Sequence, residues 1–214
     1  MLKPFDSVSK KKTSYITLES GEEIECQVKK IKRAKKGLIK EIEVKVDGEK
    51  VKYPVEDIKQ AYFPQSGWDK MLKFDDLITD PTQWNDSNFD QERLKDGYAL
   101  FEKIDIVVKG EERKLLMQLL NPFPNTRVKV YHDPQAGERG GMRVGGLKVT
   151  KSLESNYYIS KDGAIAERLR DKDYKKEFDA LFGDCRETKK DFGKKVSWKK
   201  FEDALFSYNK SCSK

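Results

Sequence analysis

The sequence predicts an α+β protein that is mainly β, and three observations lead to this fold class. Apolar and polar residues alternate with a period of two in two blocks of the chain, which is typical of half-buried strands. An irregular acidic stretch containing Pro, Gly, Asp and Asn separates the two blocks. Beyond residue 170 the apolar residues are spaced three and four apart, which predicts two amphipathic helices.

The first block, residues 14–64, is expected to fold as a small SH3- or Sm-like barrel or as a curled sheet. Alternation begins at Tyr15, and Ser20–Gly21 forms the first predicted turn. Asp47–Gly48 is typical of a two-residue hairpin connection. Four short antiparallel strands therefore follow one another, and a short helical turn after Pro54 leads into a further apolar stretch.

Two segments lie outside these strands. Residues 1–13 lack periodicity and are predicted to be a flexible N-terminal segment; they contain no apolar run of the kind found in signal peptides. Residues 65–97 are predicted to be an acidic connector, with a short helical turn near Trp68–Leu72. This connector is the expected boundary between two β units.

Residues 98–214 are predicted to form an antiparallel β-meander with two C-terminal helices. The octet RKLLMQLL is interpreted as a strand because Gly110 precedes it and Asn121–Pro122 follows it. The other strands of the meander are expected near residues 98–108, 127–132, 157–160 and 164–169.

The two helices are predicted from their apolar stripes and their first residues. Asp171 is the expected N-cap of the first helix, because its carboxylate can accept hydrogen bonds from first-turn amides. The stripe of this helix is Tyr174, Phe178, Leu181 and Phe182. The second helix is expected to begin after Ser197, and its stripe is Trp198, Phe201, Leu205, Tyr208 and Cys212.

The chain is basic, because 44 Lys and Arg residues outnumber 37 Asp and Glu residues for a net charge of +7. Such a surplus suits an anionic partner such as nucleic acid. Lys and Glu alternate along most predicted elements, however, which is also typical of a mixed, solvated surface. Residues 29–40 are the most concentrated basic stretch. The candidate anion-binding residues are Lys29, Lys30, Lys32, Arg33, Lys35 and Lys36 in that stretch, and Arg139 and Arg143 in a glycine-rich loop.

Few sequence patterns point to catalysis or to cofactor binding. His132 is the only histidine, and its alternation with Val128 and Val130 favours a half-buried structural role. The glycines between residues 137 and 146 match neither the P-loop nor the dinucleotide-binding fingerprint. No residue spacing fits a zinc site, and no apolar run is long enough for a membrane span. The sequence therefore predicts no catalytic residue, no metal, no cofactor and no membrane span.

The three cysteines leave two alternatives open. Cys185 lies at the end of the first predicted helix, and Cys212 continues the apolar stripe of the second, so helix packing could bring the two thiols together. A disulfide bond and two buried free thiols are equally compatible with this placement. Cys26 falls on the buried side of its strand and is predicted to be an isolated core thiol.

The C-terminal sequence contains YYISKDGAIAERLRDKDYKKEFDALFGDC, followed by a helix that ends in YNKSC. The stretches YITLESGEEIE and LLNPF, with VKVYHDP, lie upstream. In these features the chain resembles a loose group of uncharacterised secreted proteins from Bacteroidetes-type bacteria, which have no established activity. The resemblance implies an exported protein, periplasmic or secreted, in which Cys185 and Cys212 are bridged.

Taken together, the sequence predicts a non-enzymatic extracytoplasmic protein with a binding or structural role and an unknown ligand or partner. The alternative is a nucleic-acid-binding module in which the basic hairpin of residues 29–40 contacts the phosphate backbone. A hydrolase built on a carboxylate pair is ranked third.

Overall fold

The structure is a computed structural model, and it describes residues 1–5, 7–34, 37–65, 89–108, 110–123, 126–136, 138–139, 143–144, 147–148 and 153–212. Of these residues, 46% lie in strands and 25% in helices, which confirms the predicted mainly β, α+β class. The fold consists of a large antiparallel sheet, a smaller three-stranded sheet and C-terminal helices.

The large sheet is antiparallel and has the strand order β4-β3-β2-β1-β5-β6-β7. Its strands are β1 (Ser14–Leu18), β2 (Glu23–Arg33), β3 (Ile39–Val46), β4 (Glu49–Pro54), β5 (Ile58–Pro64), β6 (Tyr98–Val108) and β7 (Glu111–Gln118). The sheet is not closed into a barrel, so of the two predicted forms the open sheet is the one found.

Local sequence chemistry sets the turns of this sheet. Asp47 and Gly48 both have positive φ values, 48° and 96°, as a type I′ hairpin turn requires. The predicted helical turn after Pro54 is a 3₁₀ turn at Val55–Asp57. In the β2–β3 hairpin, β2 ends at Arg33 and β3 begins at Ile39. Strand β2 pairs with β1 only over residues 23–26, so the part of the hairpin near its tip extends beyond the end of β1.

The large sheet contains strands from both sides of the connector, residues 65–97. The sequence instead placed the boundary between two β units at this connector. Strand β6 pairs with β5 over Gln60↔Glu102 to Pro64↔Tyr98, and β7 pairs with β6. The sequence assigned residues 98–118 to the second unit. The physical reason for the pairing is that Ala61, Tyr62 and Phe63 are all buried, so β5 needs a neighbour on both edges and cover on both faces. The predicted turn near Trp68–Leu72 lies outside the described residues.

The second sheet has the order β14-β13-β8, and the long loop after β8 contains two short antiparallel pairs. The strands of the sheet are β8 (Val128–His132), β13 (Asn156–Lys161) and β14 (Glu167–Arg170). The short pairs are β9 (Glu138–Arg139) with β12 (Leu153–Glu154), and β10 (Arg143–Val144) with β11 (Leu147–Lys148).

The described helices are α1 (Gln91–Lys95), α2 (Tyr174–Phe182), α3 (Arg186–Phe192) and α4 (Phe201–Cys212). Short 3₁₀ turns cover Gly193–Lys195 and Trp198–Lys200. The stripes of α2 and α4 pack on the second sheet, where Tyr157, Tyr174, Phe178 and Phe201 share one core cluster.

Two helix predictions need correction. Helix α2 begins at Tyr174 with Asp173 at the N-cap, whereas the sequence placed the cap at Asp171. The Asp171 carboxylate instead accepts from the adjacent amide of Lys172 at 2.7 Å. Helix α3 was not predicted, because Thr188 is its buried residue and an apolar stripe is lacking.

The two sheets are joined directly. Leu119 bridges Tyr131, and the backbone amide of Leu120 donates to the carbonyl of Val130 at 2.8 Å. A mixed cluster that includes Leu100, Met117, Tyr131 and Tyr158 fills the space between them. The end of β7 therefore lies next to β8, and the two sheets meet at this point.

The N-terminal segment contacts the large sheet through Phe5, which packs against strands β5 and β6. Phe5 is 7% exposed, and its ring centroid lies 6.0 Å from that of Phe63 and 5.4 Å from that of Phe101. Val8 bridges Gln65. The sequence shows no periodicity here because the segment is held by isolated contacts rather than by a helix or a long strand.

Candidate functional site

A cavity of about 250 Å³ lies beside the β2–β3 hairpin, where the hairpin approaches β7 and the end of β8. We call it the hairpin cavity. Its apolar lining comes from the N-terminal segment, the hairpin, β6 and β7, and consists of Phe5, Leu38, Ile39, Phe101, Leu116 and Met117. Small-molecule sites are typically apolar hollows of roughly 300–1,000 Å³ with a few polar groups. A volume of about 250 Å³ lies just below that range and limits the cavity to a small ligand.

Among the described residues, three polar side chains line the hairpin cavity: Arg33, Gln118 and His132. The Oε1 atom of Gln118 accepts from the backbone amide of Phe5 at 2.7 Å, and its Nε2 atom donates to the carbonyl of Lys3 at 3.0 Å. Both ends of Gln118 therefore fasten the N-terminal segment. Arg33 and His132 are the two side chains left to contact a ligand.

Gly37 closes the cavity where the hairpin meets the turn after β8. Its φ is +78°, and a Cβ atom there would lie 2.9 Å from the Cβ of Pro134. Glycine is required because it adopts this left-handed conformation readily and lets the two segments touch. The Gly37 carbonyl also accepts from Nη1 of Arg33 at 2.7 Å, which fixes the guanidinium at the cavity.

Asp133 fixes the turn on the other side of the cavity. Its side chain is 1% exposed. It accepts from Nδ2 of Asn156, from the guanidinium of Arg168 and from the backbone amide of Gln135, the last at 2.9 Å. A buried carboxylate is tolerated when it is paired and hydrogen-bonded in this way. The network holds Pro134 in its position against the hairpin.

His132 lies at the end of β8, where the alternation predicts it. Its Nδ1 atom is 2.9 Å from Oε2 of Glu154, and the two side chains are 20% and 11% exposed. The backbone of Glu154 is itself held, because its carbonyl accepts from Nε1 of Trp198 at 2.8 Å and its amide donates to the hydroxyl of Tyr157 at 3.2 Å. Within the described chain, Nε2 of His132 has no hydrogen-bond partner.

Arg33 is the cation of the hairpin cavity, and no carboxylate of the described residues forms an ion pair with it. Its neighbour Lys32 differs, since Nζ of Lys32 lies 2.6 Å from Oε1 of Glu41. Desolvation lowers the pKa of the Arg33 guanidinium from its ordinary value. A guanidinium still remains charged at neutral pH, because its ordinary pKa is above about 12.

The other candidate anion-binding residues do not converge on the cavity. Nζ of Lys29 donates to Oε1 of Gln27 at 3.0 Å, and Lys30 faces Glu43 across the β2–β3 pair. Among the described residues of the basic stretch, Lys32 therefore forms an ion pair with a carboxylate, whereas Arg33 does not. Lys35 and Lys36 lie outside the described residues, and of Arg139 and Arg143 only the backbone, in β9 and β10, is described.

A second cavity, of about 280 Å³, lies between β6, β8 and the β13–β14 turn. Three cations line it, and each already has a carboxylate partner. The pairs are Lys103–Glu19 at 2.6 Å, Arg127–Asp162 at 2.7 Å and Lys129–Glu102 at 3.1 Å. This cavity is therefore a weaker candidate for an anionic ligand than the hairpin cavity.

Cys185 and Cys212 form a disulfide bond, with an S–S distance of 2.14 Å and a Cα–Cα distance of 5.8 Å. The bond joins the residue before α3 to the end of α4. Glu187 lies beside both sulfurs, so these three residues are also the one group of potential metal ligands found among the described residues. Both sulfurs are engaged in the disulfide. Cys26 is a buried free thiol, as predicted.

Comparisons with protein-family models, with curated proteins and with solved structures gave no match. The resemblance to secreted Bacteroidetes-type proteins therefore stays a prediction. In the described parts of the chain, no helix combines the length and the apolar character needed to cross a membrane.

Sequence reasoning named Arg33 as a candidate anion-binding residue and gave His132 a structural role, but it missed what surrounds them. Glu154 was not singled out because it lies 22 residues after His132 in the sequence, with a glycine-rich loop between them. No local pattern links two residues that are so far apart. Phe5 was missed because its segment has no periodicity. A weak signal for the site was available in Gly37, since a glycine that ends a basic hairpin tip often marks a close approach of the backbone to another segment.

Proposed function

We propose that this chain is a non-enzymatic extracytoplasmic binding protein whose ligand site is the hairpin cavity. The observation that carries the proposal is the composition of that cavity, which combines six apolar side chains with two polar side chains, Arg33 and His132, that remain available. Such a combination is typical of small-molecule sites, in which apolar walls supply affinity and a few polar groups supply orientation.

The proposed compartment is supported by the Cys185–Cys212 disulfide. Disulfide bonds persist in oxidising surroundings such as the periplasm or the extracellular medium and are rare in the cytosol. The resemblance to secreted proteins points in the same direction.

The proposed absence of catalysis is supported by the lining of the hairpin cavity, because the described residues that line it include no serine, threonine or cysteine that could act as a nucleophile beside His132. Nδ1 of His132 lies 2.9 Å from the carboxylate of Glu154, and Glu154 is anchored through its backbone to Trp198 and Tyr157. A pair of this kind orients the imidazole, and it leaves His132 as a hydrogen-bonding group in the cavity wall. The proposal gives His132 the role of a ligand contact.

The binding site can be tested with N-phenyl-1-naphthylamine, a neutral apolar dye whose fluorescence rises in apolar surroundings. We expect saturable binding of one dye per chain. Leu38→Trp should fill the hairpin cavity and abolish the signal, because Leu38 lines it. The matched control is Phe206→Trp, which adds a tryptophan at an exposed position. Absence of saturable binding, or equal binding by both variants, would refute the proposed site.

The compartment needs a separate measurement. We expect the protein in the producing cells to fractionate with the periplasm or the medium and to migrate faster on a non-reducing gel than on a reducing one. Recovery from the cytosolic fraction with reduced Cys185 and Cys212 would refute the extracytoplasmic part of the proposal.

Nucleic-acid binding by the 29–40 hairpin is the second candidate, and one observation favours it. In that hairpin, Nζ of Lys29 donates to the neutral amide oxygen of Gln27 at 3.0 Å, and Arg33 forms no ion pair with a carboxylate of the described residues. The charges of both side chains therefore remain available to the phosphate groups of a nucleic acid. A gel-shift assay with random single-stranded DNA at low salt tests this candidate. Retardation that Lys29→Gln and Arg33→Gln abolish would support it, and unretarded DNA would dispose of it.

A further inference from the structure

The hairpin cavity is lined by one cation without a carboxylate partner among the described residues and by apolar side chains on the opposite side. Arg33 lines the cavity, and its guanidinium forms no ion pair with a carboxylate of the described residues. Three of the opposing side chains are almost fully buried: Phe5, Leu116 and Met117 are 7%, 3% and 3% exposed. A ligand that matches both parts needs a negative group and a hydrocarbon body.

The guanidinium is positioned to receive that negative group. One of its N–H groups donates to the carbonyl of Gly37 at 2.7 Å, which restricts the orientation of the side chain. A guanidinium has five N–H donors in a planar fork, so the others remain available for the two oxygens of a carboxylate. A side chain that is already held loses less conformational entropy when it binds.

His132 supplies a second polar contact in the same cavity. With Nδ1 engaged by Glu154, its Nε2 atom has no partner within the described chain. The Asp133 network and the contact of Gly37 with Pro134 fix the strand end and the hairpin relative to each other. The two polar contacts are therefore presented by segments whose separation is set by the fold.

We infer that the hairpin cavity binds a small amphipathic carboxylate, whose carboxylate group contacts Arg33 and whose hydrocarbon body packs on the apolar wall. This inference rests on the proposed binding function and adds the chemical class of the ligand. The length of the hydrocarbon body is limited by the cavity volume of about 250 Å³, which favours a short or medium chain. Lys32 does not compete for the carboxylate because it is paired with Glu41.

The test measures displacement of N-phenyl-1-naphthylamine from the full chain by three ligands of equal length: octanoate, 1-octanol and octylamine. We expect octanoate to displace the dye at a lower concentration than 1-octanol and octylamine. Arg33→Gln should weaken the apparent affinity for octanoate about tenfold, because a hydrogen-bonded charge is lost. The same variant should leave 1-octanol and the dye unchanged.

The matched control is Lys30→Gln, which removes a positive charge from the same hairpin outside the cavity lining. It should leave octanoate binding within about twofold of the unmodified chain, because the charge of Lys30 does not contact the bound carboxylate and is screened at physiological salt. Equal displacement by octanoate and 1-octanol, or equal losses in Arg33→Gln and Lys30→Gln, would overturn the carboxylate inference while the binding site itself stands. Failure of the dye to bind would overturn both.

Discussion

Breaking the disulfide by Cys212→Ala should lower the free energy of unfolding by about 3.5 kcal/mol. The bond closes a loop with a sequence separation of 27 residues. A cross-link that closes a loop of this length lowers the conformational entropy of the unfolded chain, and this loss of entropy corresponds to about 3.5 kcal/mol at 25 °C. Cys212 lies at the rim of the helical cluster, whereas Cys185 is 0% exposed, so substituting Cys212 removes the bond with the smaller loss of packing. For a chain of this size, the corresponding decrease in Tm is roughly 7–14 °C.

The assay is urea unfolding, followed by circular dichroism, with and without a phosphine reductant. The unmodified chain should lose about 3.5 kcal/mol when it is reduced, and Cys212→Ala should not respond to the reductant. Cys26→Ala should retain the full response, because Cys26 takes no part in the bond. A loss below about 1 kcal/mol in Cys212→Ala, or an equal effect of reductant on the unmodified chain and this variant, would refute the reasoning.

Three further outcomes are expected. Burial raises the pKa of Cys26 to about 11 from 9.0, so the contribution of this thiol to stability should fall between pH 9 and 11 by at most about 3 kcal/mol. Cys26→Ala should make this part of the unfolding-versus-pH curve shallower. His132→Ala should cost about 1–3 kcal/mol in urea unfolding, because the Glu154 carboxylate loses its partner; additivity with Glu154→Gln in a double-mutant cycle would contradict this. Gly37→Ala should weaken dye binding, because its Cβ would meet Pro134 at 2.9 Å; unchanged affinity would contradict the role of this contact.

The sequence predicts the elements of this fold wherever the signal is local. Asp47–Gly48 identifies its hairpin because a type I′ turn requires two residues that tolerate positive φ, and both adopt it. The alternation of Ile24, Cys26 and Val28 predicts their burial, and all three are buried. These features depend on neighbouring residues alone.

The parts that the sequence does not predict depend on contacts between distant segments. The pairing of β5 with β6 joins strands on either side of the connector, and nothing in the alternation of either strand specifies its partner. The fixed position of His132 depends on Glu154, and that of Asp133 on Asn156 and Arg168. The hairpin cavity arises only when these contacts bring the hairpin, β7 and β8 together.

The measurement that tests the proposed ligand site most directly is ¹³C-methyl NMR of the methionine residues during a titration with octanoate. The chain contains four methionines, and Met117 lines the hairpin cavity. The loss of one signal in Met117→Leu assigns its methyl resonance. We expect this resonance to shift progressively and to saturate with octanoate, and to shift much less in Arg33→Gln at the same concentrations. A Met117 resonance that stays in place while octanoate binds, or while other methionine signals move, would contradict the assignment of the hairpin cavity as the ligand site.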